Sequence, residues 1–200
     1  MTPAVEVVIK VGGGLLRLDG ALDRVSEGIA GAWPAPAVVV PGGGPFADAV
    51  RSVGERVALD DATAHWMALL AMDQYAHLLA ARIRGAALVR DGASVASALR
   101  HDALPVLAPY RWLREADPLP HSWEVTSDSI AAWIAGALGA RRLVLVKPVG
   151  AGAGGVDALT DRWFRRALPA GVEVVVVGAD APPEALRREL GGALTSRAPR

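Results

Sequence analysis

Apolar residues fall along this chain in short unbroken runs, and the runs alternate with segments whose apolar positions recur every three or four residues. Val5 to Val11 is the first run, rich in β-branched residues and followed at once by Gly12-Gly13-Gly14. That predicts a buried strand closed by a turn. Leu22 to Trp33 has helical spacing, and Pro34-Ala35-Pro36 stops it before a second buried run, Ala37 to Val40, which ends in Pro41-Gly42-Gly43-Gly44-Pro45. The strand-then-triple-glycine device thus occurs twice, but the intervening lengths differ and it is not a periodic repeat. Phe46 to Val53 continues as a helix. A longer helix is predicted from about Asp61 to Arg84, with Asp60 or Asp61 placed to cap it. Its Leu69, Leu70, Met72, Leu78 and Leu79 cover more than one stripe, which predicts burial on two sides, by the sheet and by a second subunit.

Ala87 to Arg90 and Leu104 to Ala108 read as short strands, and Pro109 to Pro120 as irregular polar chain. Thr126 or Ser127 caps a helix running to Leu138, and Arg142 to Lys147 is a strand leading into a third glycine-rich loop, Pro148 to Gly155. Leu159 to Ala167 reads as helix, Val172 to Val177 as strand and Pro183 to Leu190 as a short helix. Strands alternating with helices imply an α/β fold with a mainly parallel central sheet covered on both faces. Ligands in such folds lie beyond the carboxyl ends of the strands, where the glycine-rich loops sit.

Composition narrows the partners. The 200 residues at 52% hydrophobic content suffice for one core, so a single domain over 1–200 is expected. The 21 basic residues balance the 21 acidic ones, and no global field draws a nucleic acid or an anionic membrane. A small-molecule partner is favoured. Cysteine is absent, which removes disulfides and thiolate metal sites. The first apolar run is interrupted by Lys10 and preceded by Glu6, too short and too charged for a signal peptide, and no stretch approaches the roughly 20 apolar residues of a membrane span. A cytoplasmic protein is expected. Only two of the basic residues are lysines, Lys10 and Lys147. Both end strands, and against an arginine background each marks a place where a compact ammonium is wanted.

Four clusters carry candidate chemistry. Lys10 with Gly12, Gly13 and Gly14 places a positive charge and closely approachable amides at one strand end, an arrangement suited to phosphate. Taken alone, a tight turn with a lysine reaching past it explains this cluster as well. Gly42, Gly43 and Gly44 supply a second set of amides, so that one loop can hold the transferred phosphoryl and the other its acceptor. Asp128, in Thr126-Ser127-Asp128-Ser129, falls in a first helical turn, where the helix dipole favours a carboxylate and gives it a sufficient structural reason. Lys147 ends an otherwise apolar strand, and buried there it needs an anion beside it, Asp128 or a ligand phosphate. His65, His77, His101 and His121 show no metal-ligand spacing, and no metal-binding residues are expected. His121 remains a candidate for touching substrate, and Trp123, nearest Asp128 in sequence, for packing against an aromatic acceptor.

The order Lys-x-Gly-Gly-Gly, Pro-Gly-Gly-Gly-Pro, Thr-Ser-Asp-Ser heading a helix and Leu-Val-Leu-Val-Lys resembles the amino acid kinase superfamily, which includes acetylglutamate, uridylate and isopentenyl phosphate kinases. The resemblance implies a three-layer α/β/α sandwich and direct in-line transfer of a phosphoryl group from ATP, with Mg²⁺, to a small anionic acceptor. It implies that Lys10, Asp128 and Lys147 are catalytic, with Asp128 orienting the lysine. Gly12, Gly13, Gly14, Lys147 and Gly150 would hold nucleotide and phosphoryl oxygens; Gly42, Gly43, Gly44, His121, Trp123 and Thr126 would hold the acceptor. A homodimer or higher homo-oligomer is expected. Within the superfamily, His65-Trp66-Met67 and Pro120 to Ser129 are most similar to the small kinases acting on aminomethylfuranyl-methyl phosphate in methanofuran biosynthesis, which make a diphosphate from a phosphate monoester. The chain departs from many relatives after the strand that ends at Lys147, where Val149 to Gly155 stands in place of an Asp-Val-Asp-Gly stretch. A non-catalytic nucleotide- or oxyanion-binding protein of the same fold, like the molybdenum storage proteins, is the alternative.

Overall fold

A computed structural model describes residues 4–148 and 155–195. Its strands are β1 (Val7–Val11), β2 (Ala37–Pro41), β3 (Ala86–Val89), β4 (Leu104–Leu107), β5 (Arg142–Lys147) and β6 (Glu173–Gly178). They form one sheet in the order β3-β4-β2-β1-β5-β6, and every pairing is parallel. The order reverses at β1, which lies between β2 and β5 with Lys10 level with Val40 on one side and Leu145 on the other.

Alternation along the strands divides the apolar residues between two cores. Val8, Val38, Val40, Leu143 and Leu145 face one core, closed by α4 (Gly92–Arg100), α5 (Tyr110–Ala116), α6 (Ser127–Ala137) and α7 (Phe164–Ala167). Val7, Ile9, Val11, Val39, Val144 and Val146 face the other, closed by α1 (Ala21–Gly31) and α8 (Pro183–Thr195). The result is a three-layer α/β/α sandwich. Lys10 shares the parity of Val8, and Lys147 that of Leu143 and Leu145, so both lysines leave the sheet toward the α6 side. The remaining helices are α2 (Gly44–Val57) and α3 (Asp61–Arg82), which follow the second glycine loop.

Asp60 caps α3, its carboxylate accepting from the Thr63 N–H at 2.9 Å and the Thr63 hydroxyl at 2.7 Å. The breadth of apolar residues on α3 has an intrachain account. Leu69 and Met72 enter the first core, whereas Tyr75, Ala76 and Leu79 enter the second. No second subunit is needed to explain those residues. Among the described residues, no helix is long and apolar enough to cross a membrane.

Three elements differ from the expectation. α4 occupies a stretch with no predicted element, and α5 lies inside the supposedly irregular Pro109 to Pro120. The helix expected from Leu159 to Ala167 is helical only over Phe164–Ala167, and turns occupy most of the stretch before it. Asp161 is the reason: its carboxylate is drawn away to α6, as described below, and the chain around it follows.

Candidate active site

Lys10, Asp128 and Lys147 meet at the carboxyl ends of β1 and β5. The Lys147 ammonium donates to Asp128 Oδ2 at 2.6 Å and to the Leu159 carbonyl at 2.7 Å. Lys10 Nζ lies 2.8 Å from Asp128 Oδ1, an ion pair that engages one of its three donors. Its ammonium therefore keeps donors for another acceptor. Lys10 and Asp128 are each 4% exposed. Burial works to raise the Asp128 carboxyl, but the Lys10 and Lys147 charges outweigh it and hold the group below the usual carboxylate range. Burial pushes Lys147 down, as does repulsion from Lys10, against the pull of Asp128 and Asp161.

The two triple-glycine loops pack backbone against backbone above this cluster. A Cβ on Gly13 would lie 2.1 Å from the Gly44 nitrogen, and one on Gly42 would lie 2.6 Å from the Gly13 nitrogen. Gly44 also has φ +54°, in the left-handed region. Gly13, Gly42 and Gly44 thus have a structural reason that turn geometry alone does not supply, because the loops touch; a Cβ on Gly12, Gly14 or Gly43 would instead meet Val146 O at 2.7 Å, Pro148 at 2.8 Å or Ala47 at 2.4 Å. The Gly12 N–H donates to Val146 O at 2.9 Å and the Gly42 N–H to Val11 O at 2.8 Å, each extending a sheet ladder by one rung. Those two amides are occupied within the sheet. Gly13 and Gly14 begin the 3-10 turn Gly13–Arg17, and Gly44 begins α2, positions whose N–H groups have no acceptor within their own helix. A Cβ on Gly12 would come 3.8 Å from Lys10 Nζ, which places that ammonium directly beside the loop.

A cavity of about 300 Å³ opens beside the loops, walled by facing stripes of α2 and α3 and floored by Thr126, Ser127 and Ile130. Gly44, Ala47, Asp48 and Arg51 line it from α2; Asp61, His65, Ala68, Leu69 and Met72 line it from α3. Both sets follow helical spacing. Gly14, Gly43, Trp123 and Thr126 also reach it. The Trp123 ring, 36% exposed, lies under the Arg51 guanidinium, 4.4 Å from its carbon. His121 is set back behind the wall. It stacks on His65 with ring centres 4.5 Å apart, packs edge-on to Trp66 at 4.7 Å and bonds Asp117 at 2.8 Å. His65, not His121, is the histidine on the cavity. Burial and the neighbouring His121 push its pKa down to about 4, so it is neutral at pH 7.

Sequence reasoning missed six charged or titratable residues here. Arg17, Asp48, Arg51, Asp61 and His65 line the cavity, and Asp161 holds the head of α6. The i, i+3, i+4, i+7 spacing after Gly44 was a usable signal for Asp48 and Arg51. Asp48 pairs with Arg17 and, at 3.6 Å, with Arg51. Asp61 has no cationic partner among the described residues. Gly150 lies outside the described residues. Among those described, no three His, Asp or Glu side chains converge to hold a metal, and the Asp128 oxygens face lysines. A magnesium ion would enter as part of MgATP, carried on the nucleotide's phosphates rather than in a protein cage.

The sequence profile of the amino acid kinase family matches residues 6–151. A (5-(aminomethyl)furan-3-yl)methyl phosphate kinase from Methanocaldococcus jannaschii is 26% identical over 144 residues, covering 71% of this chain but 65% of that protein's length. Among solved structures, uridylate kinase from Archaeoglobus fulgidus superposes with a TM-score of 0.71 at 16% identity, over 94% of this chain and 96% of the other. Isopentenyl phosphate kinase does so with a TM-score of 0.63 at 17% identity, over 94% and 96%. These structural likenesses concern the fold.

Proposed function

The chain belongs to the amino acid kinase family, and on that premise we propose that it transfers the γ-phosphoryl group of ATP to a small phosphate monoester. The observation that carries this reading is the charge of the buried cluster. Two ammonium groups converge on one buried carboxylate, Asp128, while the next carboxylate, Asp161, acts on Lys147 from further off with its oxygens taken up by five other donors. Ammonium groups held this close to a single carboxylate present donors and positive potential suited to a phosphate.

In the reaction an ionised acceptor oxygen bonds to the γ-phosphorus, the bond from that phosphorus to the β,γ-bridging oxygen breaks, and ADP leaves with the electron pair. A phosphate monoester is ionised at pH 7, so no general base is required. Positioning and preorganised donors remain as the catalytic work. Lys10, with donors left after Asp128 and lying beside Gly12, would hold the transferred group's oxygens. Lys147 has one donor left after Asp128 and Leu159, and would meet the phosphates from the β5 side. Asp128 keeps the two ammonium groups apart and oriented.

The cavity wall supports an acceptor of mixed character. Arg17 and Arg51 can take a phosphate, Trp123 and the neutral His65 an aromatic ring, and the unpartnered Asp61 a cation. An aminomethylfuranyl-methyl phosphate, the substrate named for the M. jannaschii relative, has those three parts in one molecule. We take it as the acceptor, and its diphosphate as the product.

Lys10→Ala tests the reading, because a structural lysine and a catalytic one respond differently. Removing it leaves Asp128 and Lys147 as a neutral buried pair, so stability should hold or rise. Turnover should fall roughly 10²- to 10³-fold, or about 3 to 4 kcal/mol, as on loss of one preorganised oxyanion donor. Lys10→Arg should rescue poorly, since a planar fork does not fit where a compact ammonium lies against a glycine loop. Near-normal turnover of Lys10→Ala in a steady-state ADP assay would remove Lys10 from the mechanism.

A further inference from the structure

One carboxylate lies near the lysines without a part in the transfer chemistry. Asp161, in the segment before α7, accepts five hydrogen bonds from α6 and its own strand of chain. Oδ2 accepts from the Thr126 N–H at 3.0 Å, the Thr126 hydroxyl at 2.7 Å and the Ser129 N–H at 3.1 Å. Oδ1 accepts from the Ser129 hydroxyl and from the Trp163 N–H, the latter at 3.0 Å. Five donors saturate a carboxylate, which offers about four lone-pair sites. The local cap of α6 is correspondingly weak: the Asp128 N–H is 3.5 Å from Thr126 Oγ1, whose proton is turned to Asp161. The head of α6 therefore hangs on a residue more than thirty positions away, and the two residues it grips flank Asp128 in sequence. The same segment is tied a second time where the Leu159 carbonyl accepts from Lys147.

We propose that Asp161 is a positioning residue of the phosphoryl-transfer site, fixing the first turn of α6 and through it the place of Asp128 between Lys10 and Lys147. The name of the site rests on the kinase reading; the positioning itself concerns groups that touch in the protein alone. Three charged groups face Lys147: Lys10 from β1, Asp128 from α6 and Asp161 from the segment before α7. Asp161 acts with Asp128 to keep the lysine protonated, against burial and Lys10. Loss of the Asp161 charge alone would move the Lys147 titration, whereas loss of the grip on α6 with that charge kept moves it only if Asp161 has a positioning role.

The composition makes the test direct. The chain has two lysines, so protein labelled with ¹³C at lysine Cε gives two side-chain signals, assigned by Lys10→Arg. In Asp161→Asn, the Lys147 signal should titrate at lower pH than in the wild type. With MgATP and the aminomethylfuran phosphate, kcat should fall on the order of 10²-fold, as for a misplaced catalytic group, with KM for MgATP nearly unchanged. Asp157→Asn, which removes only an exposed pair with Arg165 in the same stretch, should leave both lysine titrations unchanged. Thr126→Val with Ser129→Ala removes the two hydroxyl donors while keeping the Asp161 charge, and should also displace the Lys147 titration. A wild-type Lys147 titration in a folded Asp161→Asn, or in the folded double variant that keeps the Asp161 charge, overturns the proposal. So does an equal shift in Asp157→Asn. Because the titration needs no turnover, it still decides the matter if no phosphoryl transfer is found.

Discussion

At the scale of single residues, the two lysines are distinguished by what they already hold. Lys147 is bonded twice and its ammonium is pushed below the ordinary lysine range by burial and by Lys10. As pH rises it loses its proton before an exposed lysine, whose value lies near 10.5. Turnover should therefore fall along an alkaline limb set below that value, and Lys147→Arg should abolish the limb. A kcat profile flat past pH 10.5 would show that Lys147 is not needed as a cation. Stability runs the opposite way: between the folded and unfolded values the unfolded chain binds more protons, so this residue's contribution rises with pH. Asp128 has the same sign at the acid end: its lowered value contributes stability that is fully present above the unfolded carboxylate value and is lost as pH falls through the folded one. Asp61 carries a prediction about specificity. Asp61→Asn should raise KM for the aminomethyl acceptor roughly 5-fold, about 1 kcal/mol for a partly exposed pair, and leave an acceptor lacking the amine unaffected. Equal effects on both acceptors would detach Asp61 from the amine.

Among the elements, those that carry their own signals were legible and those that depend on distant partners were not. β1, β2 and β5 are Val-rich runs ending in glycine or proline, and each lies where its pattern placed it. α5 begins where the Tyr110 N–H donates to Asp73 on α3 at 3.0 Å, a cap that no local reading of Pro109 supplies. Asp161 was hidden for the same reason, since its partners lie across the fold. α4 is different. Asp91 and Ser94 form a reciprocal capping box, and Val95, Ala98 and Leu99 follow at helical spacing, so the signal was present in sequence and was passed over. Lys10, Asp128 and Lys147 could be singled out because a lysine at a strand end and a carboxylate at a helix head are conspicuous; the cavity residues became visible only when α2 and α3 faced each other. On α3, Leu70 remains 43% exposed, and on α2 Val53 and Val57 are 39% and 62% exposed. We propose that these residues form the contact of a homodimer. The wild type should sediment as a dimer at micromolar concentration and Leu70→Asp with Val57→Asp as a monomer; a monomeric wild type would refute the contact.

For the molecule as a whole, the parallel sheet brings three things to one edge: a buried cluster in which two ammonium groups share one carboxylate, two glycine loops in backbone contact, and a cavity with cations, an aromatic wall and the carboxylate of Asp61. A turn-forming role explains the loops alone, and an ordinary ion pair explains Asp128 alone. Phosphoryl transfer between two anions explains why all three lie together. It also explains why no serine nucleophile or histidine base is needed, since the acceptor arrives ionised. The direct measurement is ³¹P NMR of the purified protein with MgATP and aminomethylfuranyl-methyl phosphate, with a carboxylate acceptor in a parallel sample. The account predicts that the ATP signals give way to ADP while the acceptor's phosphate signal is replaced by a new diphosphate pair in equal amount, and that the carboxylate sample does not change. ATP left intact, or hydrolysed to ADP and inorganic phosphate with no diphosphate formed, would contradict it.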